Sequence, residues 1–183
     1  MGIFDIFKKK KDEEKHYDPT DIKVTDLENG YLLDYDFETW TVTKMSEYDW
    51  GSNFFTREFT ITSKDKVRYL HIEDDGKLII TLSEEIKFRK LGVEVLDYIE
   101  LNGKPPKKIN FLGITYFLDE KSPGFYRNTE NESWEELISF DYLDDNEKKC
   151  LSISQWGDDD FEASFGEIIK PMDISNILPS YSK

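Results

Sequence analysis

From Gly30 onward the large apolar side chains fall on every second residue, and that period decides the fold class. Tyr31, Leu33, Tyr35 and Phe37 alternate with Leu32, Asp34 and Asp36, and Trp40 and Val42 continue beyond a turn at Glu38-Thr39. Phe59 and Ile61 alternate with Thr60 and Thr62, Leu70 and Ile72 with Tyr69 and His71, and Leu78, Ile80 and Leu82 follow Asp74-Asp75-Gly76. Successive side chains on an extended backbone point to opposite faces, so such alternation makes one apolar face and one wet one. Asp75-Gly76 between two alternating runs is a hairpin signal, because the tightest hairpin turns need positive φ.

Asn102-Gly103-Lys104-Pro105-Pro106 breaks the pattern, since adjacent prolines have a fixed φ and no N–H to donate. Beyond it, further strands are expected at 111–118, 125–126, 136–142, 150–154 and 161–165. Val93 to Leu101 reads as a strand of mixed period, and Ile174, Ile177 and Leu178 after Asp173 read as a short C-terminal helix. The expected fold is all-β. Two antiparallel β-meander halves, 21–101 and 109–183, are joined by a linker at 102–108 and packed as a sandwich or two small barrels. Short helices are expected at the termini.

The halves echo each other at an offset of 81 residues, which carries Tyr35 onto Tyr116, Phe37 onto Leu118, Phe59 onto Phe140, Leu70 onto Leu151 and Ile72 onto Ile153. An internal duplication with a cleft between the halves is the corresponding expectation.

Thirteen Phe, ten Tyr and four Trp give enough aromatic surface to drive a packed core despite the formal charge of -15. That charge repels nucleic acid, and no concentrated basic face offsets it. Cys150 is the single cysteine, so no internal disulfide forms. No stretch reaches the eighteen or so apolar residues of a membrane span, and no secretory leader is read at the N-terminus. The cytoplasm, with peripheral contact to the inner face of the membrane, is the expected location.

Residues 1–20 stand apart as an amphipathic, basic tail and linker. Ile3, Phe4, Ile6 and Phe7 make one apolar face of a short helix, and Lys8, Lys9, Lys10 and Lys11 follow at once. That composition suits a lipid interface, with the rings buried and the lysines at the headgroups. The alternatives are docking on the protein's own domain and an inert tail.

Inventory removes most catalytic readings. His16 and His71 are the two histidines, so no multi-histidine metal site exists, and one cysteine cannot make a thiolate zinc site. No metal or cofactor is expected. His71 is out of phase with Leu70 and Ile72 and reads as solvent-facing. No glycine-rich phosphate cradle is present. Trp40 and Trp134 read as core. The most unusual segment is the aromatic connection from Glu47 to Phe55, in which Tyr48, Trp50, Phe54 and Phe55 are candidate contacts for a ligand or a protein partner. Trp156, followed by Gly157, is their counterpart in the second half.

One set of residues carries a resemblance. Trp40-x-Val42, Glu58-Phe59, Arg68-Tyr69-Leu70-x-Ile72-Glu73, Gly113-x-x-Tyr116-x-Leu118, Leu151-Ser152-Ile153, Trp156-Gly157, Glu162 and Gly166 resemble the bacterial domain-of-unknown-function family numbered four-one-seven-eight, across about residues 27–178. The resemblance implies a β-rich bacterial domain, associated with membrane- or envelope-related gene neighbourhoods. It implies no activity and no functional residue. The leading expectation is therefore a non-catalytic domain that binds a protein or small molecule. The alternatives are a carboxylate hydrolase, with or without a divalent metal, and a structural homo-oligomeric subunit.

Overall fold

The computed structural model describes residues 22–131, 133–158 and 160–179. The membrane-contact candidates of the tail, and His16, lie outside the described residues. Among the described residues there are eleven strands: β1 Leu32–Tyr35, β2 Glu38–Asp49, β3 Phe55–Ser63, β4 Lys66–Asp74, β5 Leu78–Ile86, β6 Lys108–Phe111, β7 Ile114–Asn128, β8 Glu135–Asp144, β9 Lys149–Gln155, β10 Phe161–Ile169 and β11 Ile174–Leu178. One α-helix, α1, spans Val93–Asn102.

The all-β, antiparallel meander expectation holds. All eleven strands form one sheet in the order β11-β1-β2-β3-β4-β5-β10-β9-β8-β7-β6. The halves are joined edge to edge rather than stacked as a sandwich. β5 pairs with β10, with Ile86 opposite Ala163 and Ile80 opposite Ile169. β2 pairs with β7, with Ser46 opposite Asn128 and Asp49 opposite Phe125. Those two seams close strands β2, β3, β4, β5, β10, β9, β8 and β7 into a ring of eight, and β1, β11 and β6 extend from it.

Two long strands make the closure work. The first part of β2 pairs with β1 and its last part with β7, while β7 pairs first with β6 and then with β2. Pro123 lies in β7 opposite Ile138 of β8, between the β6-paired and the β2-paired stretches. A proline is tolerated there because its missing N–H interrupts no ladder on that edge.

The apolar face of each half packs on its own core. In the first, Leu33, Trp40, Phe59, Ile61, Leu70 and Ile80 are closed over by Val24, Leu27, Tyr31 and Ile174. In the second, Ile109, Tyr116, Phe140, Tyr142, Leu151 and Ile153 are covered by Leu91, Val95 and Ile99. The two cores are thus separate, but one continuous sheet carries both, so the halves are neither a sandwich nor two closed barrels.

Two assignments change. Val93–Asn102 is helical because only Val95 and Ile99, one turn apart, point inward, and Gly103 (φ +64) ends the helix by donating its N–H to Ile99 at 2.7 Å. A short apolar run of mixed period does not by itself separate helix from strand. The expected C-terminal helix is instead β11. Asp173 accepts the backbone N–H of Lys170 at 2.8 Å and closes one 3-10 turn, after which Ile174 and Ser175 pair with Tyr35 and Asp34. The unpaired edge of β1 takes up the segment.

The strands of the two halves follow the same path. The β1–β2 hairpin pairs Leu33 with Trp40 and turns through Asp36-Phe37, both at positive φ. The β6–β7 hairpin pairs Ile109 with Tyr116 and turns through Leu112-Gly113, also at positive φ, so the equivalent residues lie 76 apart (33 to 109, 40 to 116). The offset of 81 places Phe59 and Phe140 on the equivalent strands β3 and β8, but Tyr35 and Tyr116 on β1 and β7, which are not equivalent. The loops between are of unequal length.

Candidate functional site

Each ring strand carries its apolar residues on the core side, so the alternate residues face the inside of the ring, and they are polar. Glu58 and Thr60 of β3, Tyr69 and His71 of β4, Ser83 of β5, Ser164 of β10 and Ser154 of β9 lie on this face, with Tyr48 of β2 and Tyr126 of β7. A cavity of about 410 Å³ opens there, and residues from all eight ring strands line it. Sites of about this size suit small ligands.

The walls are aromatic. Tyr48 stacks on Trp50 with ring centroids 5.4 Å apart, and meets Tyr126 and His71 at 5.3 Å each. Trp156 stands edge-on to Tyr126 at 5.3 Å. Gly124 is required for this grouping, because a Cβ there would stand 2.6 Å from the Trp50 ring. Each polar aromatic hydrogen is held: Tyr48 donates to Glu58 at 3.2 Å, Tyr69 to Glu85 at 3.3 Å, Trp156 to Glu162 at 2.8 Å and Trp50 to Thr56 at 2.9 Å. Lys44 donates to the Tyr126 hydroxyl at 2.7 Å, and its ammonium lies 5.4 Å from the centre of that ring.

Of the residues expected to make contacts, Tyr48, Trp50 and Trp156 are thus brought together, across both halves. Phe54 and Phe55 are not part of the cluster. Phe54 closes the β2–β3 turn by donating its N–H to Gly51 at 2.9 Å, and Phe55 is exposed opposite Asp49. Trp40 is core, as expected; Trp134 is not, being exposed under the Arg127 guanidinium at 4.7 Å.

The sequence reading missed Tyr126, Glu58, Glu85, Glu162 and Lys44. It also gave His71 to solvent, whereas His71 faces the ring interior with Nδ1 3.8 Å from Glu58. Its phase was correct; the face it points to is enclosed only because the ring closes.

Burial sets the protonation of this interior. It pushes the Tyr48 hydroxyl well above its ordinary range, with Glu58 adding to the effect, and raises Tyr69 to about 12. Both phenols are therefore neutral hydrogen-bond donors at physiological pH. The Cys150 thiol is also pushed up to about 12, by burial and then by Asp141, so it is no thiolate nucleophile. Among the described residues, no group of three or more His, Cys, Asp or Glu is arranged to hold a metal ion.

Asp141 of β8 is a half-buried carboxyl paired opposite Ser152 of β9. It accepts from Ser152 at 2.6 Å and from Ser139 at 2.9 Å. Burial raises its pKa; the two serines and His71 oppose the shift, and Glu120 adds to it. The folded state thus holds this proton above the pH at which the unfolded chain releases it. The contribution of Asp141 to stability is therefore greatest in acid and falls as pH rises from 3.8 through the folded-state value. Asp141→Asn removes the buried charge; its amide oxygen accepts from one serine and its NH2 donates to the hydroxyl oxygen of the other, which turns to receive it. It is expected to raise stability at pH 7 by about 1 kcal/mol and to flatten its pH dependence relative to the parent. Urea unfolding midpoints at pH 4 and pH 7 check this, and a variant less stable than the parent at pH 7 would contradict it.

The family model described as "Domain of unknown function (DUF4178)" matches residues 28–171, a span that contains every residue lining the cavity. An "Uncharacterized protein" of Aquifex aeolicus (strain VF5) is 31% identical over 183 residues, covering 98% of this chain and 99% of its own length. No solved structure matches. No helix among the described residues is long and apolar enough to cross a membrane.

Proposed function

Because this chain belongs to the family described as Domain of unknown function (DUF4178), a description that names no activity, we infer its role from the ring interior: a non-catalytic domain that binds a small ligand in the cavity between its halves. The supporting observation is the cavity itself, to which all eight ring strands contribute and in which four aromatic side chains are oriented by hydrogen bonds at no cost to be met on binding. The matching hairpins of the two halves fit an internal duplication, which would explain why the site lies on the line where they meet. A tail resting on a membrane surface remains part of this reading, with residues 1–11 as the contact.

The test is ligand capture from a fractionated small-molecule extract, read as a rise in unfolding temperature. Trp156 lies at the rim and is half-exposed, so Trp156→Ala removes a wall of the cavity and leaves both cores intact. A fraction that raises the unfolding temperature of the parent by several degrees is expected to leave Trp156→Ala nearly unshifted. Equal shifts in the two proteins would place binding elsewhere and end this reading.

A further inference from the structure

We propose that the ligand of this cavity is an organic ammonium ion, a protonated alkylamine seated against the aromatic walls with its N–H groups on the carboxylates. The proposal rests on the cavity being a binding site and adds the chemical class.

Three features of the geometry carry it. The first is the walls: Tyr48, Tyr69, Tyr126 and Trp156 all line the cavity, and the faces of such rings attract cations. The second is the balance of charge. Glu58, Glu85, Glu135, Asp160 and Glu162 line the same space, against Lys44 as the one lysine or arginine among the described lining residues. Glu58, Glu85 and Glu162 each accept a hydrogen from a ring of the wall. An ionised carboxylate has room for several hydrogen bonds, so each is oriented by its aromatic partner with acceptor capacity left over. An anionic ligand would meet five carboxylates against one ammonium, and a neutral polyol would leave the charges unanswered.

The third feature is that the protein already uses this chemistry within the site. The Lys44 ammonium sits 5.4 Å from the centre of the Tyr126 ring and donates to its hydroxyl at 2.7 Å. An alkylammonium is therefore a group that this wall accepts, and a second one would find beside it the Trp156 ring with the Glu162 carboxylate.

A protonated amine reaches such a site either as a free small molecule or as a lysine side chain of a partner protein. Four probes separate the cases: n-butylammonium, neutral n-pentanol and anionic pentanoate, which are similar in size, and the larger Nα-acetyl-lysine N-methylamide. Each is titrated into the full chain at pH 7 and low salt, with tryptophan fluorescence and amide chemical shifts as readouts. The butylammonium ion is expected to shift the signals of Trp156, Tyr126 and Tyr48 at least tenfold more tightly than pentanol, with pentanoate inactive. Glu162→Gln, on the rim, is expected to weaken the cation at least fivefold and to leave pentanol unchanged. Lys44→Met, which removes the ammonium already held at the Tyr126 hydroxyl, is expected to tighten it.

Binding of the lysine derivative at least as tightly as butylammonium would make a partner's lysine the source. Binding of butylammonium alone would make it a free amine. If pentanol binds as well as the cations at the same residues, the site stands and the ammonium class is overturned. If none of the probes moves a cavity signal, the ammonium proposal falls. The extract experiment with Trp156→Ala then decides the binding reading separately.

Discussion

Gly166→Val is expected to be among the most damaging single substitutions in this protein, because at Gly166 the backbones of the two halves lie too close for a side chain. It lies in β10 opposite Ser83 of β5. A Cβ at this position would stand 2.1 Å from the Leu82 carbonyl oxygen and 2.6 Å from the Ser83 Cα. Both are backbone atoms, and no side-chain rotation relieves the overlap. The β5–β10 seam would have to open along a ladder of seven residue pairs that is one of the two closures of the ring. Overpacking typically costs about 1–3 kcal/mol, and a clash with backbone belongs at the upper end. A loss of about 3 kcal/mol corresponds to about 6–12 °C in unfolding temperature for a chain of this size. Gly157→Ala is the control. A Cβ at Gly157 meets nothing within 4 Å, so a change within about 0.5 kcal/mol is expected. Equal effects at the two glycines would show that the close approach at Gly166 is not what stabilises the seam.

Trp40→Ala should cost still more. Trp40 is 2% exposed in the first core, and its indole N–H donates to the Tyr35 carbonyl at 3.4 Å. Its ring also carries the Arg68 guanidinium, 5.4 Å from the centroid. Truncating a buried tryptophan leaves a cavity that β-strands cannot collapse to fill, at about 3–5 kcal/mol. Since whole domains are stable by only about 5–15 kcal/mol, that is a large share. The form of the transition is as informative as its midpoint. The cores are separate, but the sheet that carries them is continuous through the β5–β10 and β2–β7 seams. Trp40→Ala is therefore expected to lower a single transition, as Phe140→Ala in the second core should. Denaturant curves followed by tryptophan fluorescence and by far-ultraviolet circular dichroism should coincide. Two separated steps, with Trp40→Ala moving only one, would mean that the halves fold independently.

The Glu167 carboxylate shows how residues distant in the chain share one structural task. It accepts from Lys149 of β9 at 2.7 Å and from Tyr35 of β1 at 3.0 Å, and so ties the first strand to the second half. The Lys149 hydrogen bond lowers its pKa, and Tyr35 acts the same way. Its stabilising contribution is present above the unfolded-state value of 4.5 and is lost as pH falls through the lower folded-state value. Glu167 and Asp141 therefore pull the acid side of the stability profile in opposite directions.

What the amino-acid order determined by itself is local. Period-two alternation set the strands and which side of each is apolar, and Asp75-Gly76 marked its hairpin. Tyr48, Trp50 and Trp156 stood out because aromatic residues in connections are uncommon. The 93–102 helix and the β11 strand were not legible. A ten-residue apolar run fits either period, and β11 takes its conformation from the open edge of β1. The cavity was less legible still. Tyr126, Glu58 and His71 are ordinary wet-face residues of their strands, and nothing along the chain distinguishes a face toward solvent from one toward a ring interior. That distinction follows from two seams between residues up to 89 apart in sequence, as in the pairing of Ile80 with Ile169. Only tertiary structure decides it, because ring closure is a long-range pairing. It depends on close approaches that no single strand reveals, of Gly166 to the β5 backbone and of Gly124 to the Trp50 ring, and not on the polarity of the residues that end up inside.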